Sequence, residues 1–116
     1  MGLLNKLLGR TQSANLQEAV LIHFDLGFKS NGDRLGFDDM VDLEDTLIAV
    51  VERHQVGEVD GHEIGSSDGT IFLYGPDADL MLEAIKPVLL THPLCAGARV
   101  VLRKGGPGST QTEVQL

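Results

Sequence analysis

The order of the apolar segments predicts an α+β domain with the elements strand, helix, strand, strand, helix and strand. The prediction depends on short apolar runs of strand length, two longer runs with helical spacing, and a glycine-rich turn between two strand-like runs. A chain of 116 residues suits one domain, because two independent cores need roughly 100 residues each. We expect a short amphipathic segment at 1–16, one domain at 17–104 and a flexible tail at 105–116.

The first strand and the first helix are predicted from the first half of the chain. Residues 19–26 form an eight-residue apolar run with β-branched and aromatic side chains, which is typical of a strand. The glycines and asparagine of the following dozen residues predict a long loop. Asp42 can then cap a helix that ends by Gly57. Its inward positions follow helical spacing and are Leu43, Leu47, Val50, Val51 and His54.

The second half of the chain predicts a hairpin, a helix and a last strand. Residues 56–64 and 70–74 are strand-like, and the glycine-containing turn between them predicts an antiparallel pair. The run Gly75-Pro76-Asp77 predicts a helix start, because proline suits the first turn and acidic side chains suit the positive end of the helix dipole. Residues 98–104 predict the last strand. The inward stripe of the second helix is Ala78, Met81, Leu82, Ile85 and Leu89.

This order of elements resembles that of ferredoxin-like, or split βαβ, domains. The resemblance covers residues 19–104 at the level of the fold. It implies a βαββαβ domain with a four-stranded antiparallel sheet in the order 4-1-3-2 and two helices on one face, so that the second and fourth strands are the edges. The runs 60–65 and 73–79 also resemble a signature of a small bacterial protein family, to which no activity is attached.

The charge of the chain is acidic and unevenly distributed. Seventeen acidic and nine basic residues give a net charge of −8, which repels phosphate backbones and argues against nucleic acid as a partner. Residues 35–85 contain thirteen of the acids and one base. No apolar run approaches the roughly 18 residues that span a bilayer, and the single cysteine, Cys95, cannot form an internal disulfide. We therefore expect a cytoplasmic protein without a membrane span.

The sequence contains no recognisable catalytic constellation, and we expect no cofactor. One cysteine is too few for an iron–sulfur cluster or a soft-metal carrier. A metal-binding site is a weak alternative, because one imidazole and three carboxylates lie within nine residues. These residues are Asp60, His62, Glu63 and Asp68. The flanking glycines argue against a zinc-protease helix, and Ser66 stands where that motif needs its second histidine.

Alternation along the strands predicts which side chains face away from the helices. If the most apolar alternate positions face the helices, the other face has aromatic rings in its centre, arginines on one border and carboxylates on the other. The candidate site residues are Leu21, His23, Phe72, Tyr74, Glu58, Asp60, Arg99 and Arg103. Two of the chain's five aromatic residues would stand on a face that is expected to be polar, which indicates an interaction surface.

These features predict a non-enzymatic protein-interaction or regulatory module that acts through this face of the sheet. Opposite charges on the two borders make the face complementary to itself about a two-fold axis, so the expected partner is a second copy, in a homodimer, or another protein. The alternative is a small-ligand-binding sensor domain whose pocket is lined by the loop 28–39 and His23. A small hydrolase that uses His23, Asp25 or Arg34 is a weaker alternative.

Overall fold

The computed structural model describes residues 18–26, 36–106 and 108–115. The segment predicted at 1–16 lies outside the described residues, as does the predicted loop at 28–39 up to residue 35. The elements are β1 (Glu18–Asp25), α1 (Phe37–His54), β2 (Glu58–Ile64), β3 (Asp68–Gly75), α2 (Ala78–Thr91), a 3₁₀-helix (Pro93–Cys95), β4 (Arg99–Arg103) and β5 (Gln111–Gln115). The prediction of an α+β fold with an antiparallel sheet and two helices is confirmed.

The strands form one five-stranded antiparallel sheet in the order β2-β3-β1-β4-β5. The prediction of a four-stranded sheet in the order 4-1-3-2 is wrong, because β5 pairs with the outer side of β4 and replaces it as an edge. The added strand comes from the segment 105–116, which the sequence predicts to be a flexible tail. Its pairing supplies partners for backbone groups of β4 that an edge strand would leave open.

Both helices cover the same face of the sheet. Alternate residues of β1, such as Val20 and Ile22, are fully buried, while the residues between them are only partly buried on the other side. Four of the five predicted inward positions of each helix are buried, but His54 is exposed and Leu82 is only half-buried. Apart from Ala19, the buried apolar side chains of the helices and strands belong to one cluster between the helices and the sheet. The other face of the sheet is the one available to partners.

Helix α1 begins at Phe37, five residues before the predicted cap at Asp42. The backbone N–H of Gly36 donates to Asp39 Oδ2 at 2.9 Å, so an acidic side chain in the first turn stabilises the start. Asp42 lies inside the helix and instead accepts a hydrogen bond from His92 Nε2 at 2.9 Å. This bond joins α1 to the segment that follows α2.

The connection from α1 to β2 requires glycine at position 57. Gly57 has φ +157°, and a Cβ there would lie 2.5 Å from the carbonyl oxygen of Tyr74 and 2.6 Å from Met81 Sδ. The missing side chain lets the backbone enter β2 directly beside the end of β3. Glu58 is therefore set opposite Tyr74 at the start of the pair.

Candidate functional site

The strand registers arrange the uncovered face of the sheet, here called the open face, as three rows of side chains. Residues directly opposite in antiparallel strands lie on the same side of the sheet. From β2 to β4, the rows are Glu58, Tyr74, Ala19 and Arg103; Gly61, Phe72, Leu21 and Val101; and Glu63, Thr70, His23 and Arg99. Strand β5 extends them with Gln111, Glu113 and Gln115.

The centre of the open face is apolar and half-buried. Phe72 lies opposite Leu21, and Leu21 lies opposite Val101 on its other side. These three side chains and Tyr74 are neither buried nor fully exposed. The middle row therefore presents an apolar strip about three strands wide, bounded at one end of the strands by Tyr74.

The side chain of Arg103 extends along the first row towards β3 and does not stand at a border of the sheet. Its Cζ is 5.8 Å from the centroid of the Tyr74 ring, within the range of a cation–π contact. Its Nε donates to the carbonyl oxygen of Gly105 at 2.8 Å. Ala19, which lies between Arg103 and Tyr74 in the row, is fully buried.

The arginines of β4 do not form a border of the sheet, because β5 is the edge strand. Arg99 and Arg103 stand one strand in from the edge, because β5 covers the outer side of β4. Arg99 Nε lies 4.0 Å from Glu113 Oε1, and both side chains are 53% exposed. A pair that is this long and this exposed contributes little to stability, roughly 0–1 kcal/mol. The guanidinium of Arg99 thus remains accessible from the open face.

A β-bulge changes the carboxylate border. The register shifts between Val59 and Gly61, so Asp60 has no residue opposite it within the described pairing of β2 with β3. Beyond the bulge the alternation is reversed, which places Glu63 opposite Thr70 on the open face. The border therefore consists of Glu58 and Glu63, and Asp60 stands outside the rows. Plain alternation misses Glu63, although Gly61 inside a strand is a signal for a bulge.

The same bulge separates the residues of the metal alternative. His62 is on the helix side, where its Nδ1 lies 3.0 Å from Glu44 Oε2. The centroids of its ring and of the Phe37 ring are 6.2 Å apart in a T-shaped arrangement. Glu63 is on the opposite side of the sheet. Among the residues that the structure describes, no group of three or more His, Cys, Asp or Glu side chains could hold a metal ion.

His23 lies in the third row and lines a pocket at that end of the sheet. Its Nδ1 is 2.8 Å from Thr70 Oγ1. Burial lowers the pKa of His23, and the positive charge of Arg99 lowers it further, whereas Glu113 and Asp68 act in the opposite direction. The pocket has a volume of about 380 Å³, and its lining includes His23, Asp25, Asp68, Gly97, Arg99 and Gln115.

The residues considered for catalysis are not assembled into a nucleophilic site within the described chain. Cys95 is buried under the helices, and burial raises the pKa of its thiol to about 11, so the reactive thiolate is scarce at neutral pH. His23 and Asp25 line the same pocket. Arg34 lies outside the described residues.

Comparison with known proteins gives no match for this chain among protein-family models, curated proteins or solved structures. The ferredoxin-like resemblance and the resemblance to a small bacterial family are therefore not confirmed, and the α+β architecture stands on the structure alone. Neither of the two described α-helices is long and apolar enough to cross a membrane.

Proposed function

We propose that the open face binds a second copy of the chain, and that the protein is a non-enzymatic interaction module that forms a homodimer. The proposal is supported by the complementarity of the three rows to themselves. A two-fold axis that runs parallel to the strands, between β1 and β3, lays β1 over β3 of the second copy. The same axis lays β4 over β2 of that copy.

In this arrangement, large apolar side chains meet apolar or small ones. Phe72 stands over Leu21 of the second copy, because the two residues share the middle row. Val101 stands over Gly61, which has no side chain. In the first row, Tyr74 faces the position of Ala19, which is already fully buried within its own copy. A large residue opposite a small one allows two facing sheets to interdigitate.

The charges select this orientation over the alternative one. Arg99 meets Glu63 of the second copy, so each dimer contains this pair twice. Arg103 stands over Glu58 of the second copy and pairs with it by turning from the Tyr74 ring of its own copy. An axis perpendicular to the strands would instead place Arg103 over Arg99 and Glu58 over Glu63. Opposed like charges penalise that pairing. The complementary rows are the single observation on which the proposal depends.

The size of the matching surface sets the expected affinity. Four strands about 4.8 Å apart and three rows about 6.8 Å apart give a projected patch of roughly 400 Å² per copy. This patch is smaller than the surface of about 800 Å² per partner that is buried in standard stable complexes. The apolar strip must supply most of the affinity, because exposed ion pairs contribute only about 0–1 kcal/mol each. We therefore expect a weak dimer whose formation depends on the protein concentration.

Sedimentation velocity over a dilution series tests the homodimer. The weight-average mass of the unmodified protein should rise from monomer to dimer with concentration, and Tyr74→Glu should stay monomeric because it replaces the aromatic ring at the end of the apolar strip with a charge. Leu90→Glu is the matched control, since it adds the same charge to a side chain of α2 that is already 62% exposed. It should dimerise like the unmodified protein.

Two results would overturn the proposal. One is an unmodified protein that remains monomeric at millimolar concentration. The other is Tyr74→Glu following the same association curve as Leu90→Glu. Circular dichroism of both variants establishes that each is folded before the curves are compared.

A further inference from the structure

The pocket beside His23 exists because β1 continues past the start of β4. His23 lies opposite Arg99, the first residue of β4, whereas β1 runs on to Asp25. Continuing that register would set Gly97 opposite Asp25, and a Cβ at Gly97 would meet nothing within 4 Å. The resulting space of about 380 Å³ lies within the range of small-molecule sites, roughly 300–1,000 Å³.

The pocket presents both signs of charge. Asp25 and Asp68 stand directly opposite each other in β1 and β3, and such like-charged pairs destabilise a sheet unless a positive group lies between or beside them. Arg99 lines the same pocket from β4. A cation such as Mg²⁺ would meet the Arg99 guanidinium there, and an apolar ligand would meet a mostly polar lining.

We propose that this pocket binds a small zwitterion of the α-amino acid class, with the ligand carboxylate on Arg99 and its ammonium group between Asp25 and Asp68. A guanidinium binds a carboxylate through two parallel N–H bonds. It carries five N–H donors, so its long contact with Glu113 leaves enough of them for a ligand. The ammonium group of the ligand relieves the repulsion between the two carboxylates.

The neighbouring side chains keep this arrangement in place. His23 separates Arg99 from Thr70 within the row and is held by the contact between its Nδ1 and Thr70 Oγ1 at 2.8 Å. Because burial and Arg99 both lower the pKa of His23, its imidazole is neutral at neutral pH and does not compete with the ligand ammonium group for Asp68. The one cationic side chain among the pocket residues named above is therefore Arg99.

The pocket shares Arg99 with the proposed dimer, because Arg99 belongs to the third row and faces Glu63 of the second copy there. Tyr74 lies in the first row, at the other end of the strands, and does not line the pocket. The monomeric Tyr74→Glu variant should therefore bind the ligand at least as tightly as the unmodified protein, which separates a failure of this inference from a failure of the homodimer.

Amide chemical shifts followed by NMR test the ligand class. The probes are L-alanine, L-serine, L-leucine and L-glutamate at millimolar concentration, with propylamine, propionate and Mg²⁺ as partial ligands. At least one amino acid should change the amide chemical shifts of Gly97, Arg99 and Gln115. These changes should saturate as the amino acid concentration increases. Propylamine and propionate, which each lack one charged group, should bind at least tenfold more weakly.

Two substitutions test the assigned contacts. Arg99→Gln and Asp68→Asn should each weaken amino acid binding at least tenfold, while Arg53→Gln, which removes a guanidinium from the exposed end of α1, should leave it unchanged. The inference is overturned if none of the four amino acids binds, if a partial ligand or Mg²⁺ binds as tightly as the amino acids, or if Arg53→Gln weakens binding as much as Arg99→Gln. Dispersed amide spectra of the variants show that they are folded.

Discussion

A half-buried histidine gives the stability of this protein a defined dependence on pH. Burial and the nearby Arg99 lower the pKa of His23 from its ordinary value of 6.5, so the unfolded chain binds this proton more readily than the folded chain. The neutral imidazole makes its full contribution to the free energy of unfolding above the pKa that His23 has in the unfolded chain. This contribution is lost as the pH falls through the pKa that His23 has in the folded chain. Acidification from about pH 7.5 to about pH 5 should therefore destabilise the fold through this residue.

The variant His23→Gln isolates this effect. Its free energy of unfolding in urea should fall less than that of the unmodified protein between the same two pH values, because the amide does not titrate. The imidazole signal that disappears in His23→Gln should titrate below 6.5, the ordinary value, in the folded protein. An imidazole midpoint at or above 6.5 would contradict the prediction.

The alternation of side chains along a strand predicts their orientation only where the strand is regular. It predicts correctly that Phe72 and Tyr74 face away from the buried residues, because β3 pairs with β1 without interruption. It does not predict the carboxylate border, because one extra residue at Asp60 reverses which side chains of β2 reach the open face. A bulge depends on how two strands pair, and that pairing is not contained in the pattern of one strand.

At the scale of elements, the main difference between sequence and structure is β5. Its residues are polar except for Val114, so it lacks the alternation by which strands are recognised. Val114 lies opposite Val100 and packs against the core cluster. The start of α1 is also difficult to predict, because its N-cap is Gly36 and its first turn is stabilised by Asp39. Glycine favours the cap position less clearly than Ser, Asp or Asn.

The contact of Val114 predicts that β5 contributes to stability. Val114→Ala should lower the free energy of unfolding by roughly 1 kcal/mol, because the side chain is half-buried and its removal forfeits part of the roughly 2 kcal/mol of a fully buried valine. Thr112→Ala is the matched control, since Thr112 lies opposite Leu102, two residues away in β5, and is exposed. Urea denaturation of both variants measures the difference.

A mobile, unpaired tail would give a different result for the same two variants. Val114→Ala and Thr112→Ala would then have equal unfolding midpoints, both indistinguishable from the unmodified protein. In addition, the amide protons of β5 would exchange with solvent as fast as in an unfolded peptide. The paired strand predicts slower exchange for those β5 amides that donate to β4.

At the scale of the whole molecule, the uneven charge of the chain becomes a spatial pattern. The acids of β2 and the arginines of β4 lie on opposite sides of the apolar strip, with β3 and β1 between them. The net charge of −8 opposes association in general, so a homodimer must align unlike charges locally. This alignment predicts that two substitutions at distant positions in one chain compensate for each other.

Exchanging the charges of Glu63 and Arg99 tests that alignment. The two residues share the third row but are separated by three strand spacings, about 14 Å, which is too far for contact within one chain. Glu63→Lys or Arg99→Glu alone should weaken dimerisation about tenfold, since each creates two like-charged contacts per dimer and 1.4 kcal/mol corresponds to a factor of ten.

The double variant, Glu63→Lys with Arg99→Glu, should recover most of the lost affinity, because the reversed charges meet again across the two-fold axis. Sedimentation velocity at low ionic strength, where exposed charges are least screened, gives the largest difference. Exchanging Glu83 with Lys86, two exposed residues of α2 away from the open face, keeps the same net charge and should change nothing. The contrary result is a double variant whose loss of dimerisation affinity equals the sum of the losses in the two single variants. The two residues then do not meet in the dimer, and the axis between β1 and β3 is wrong.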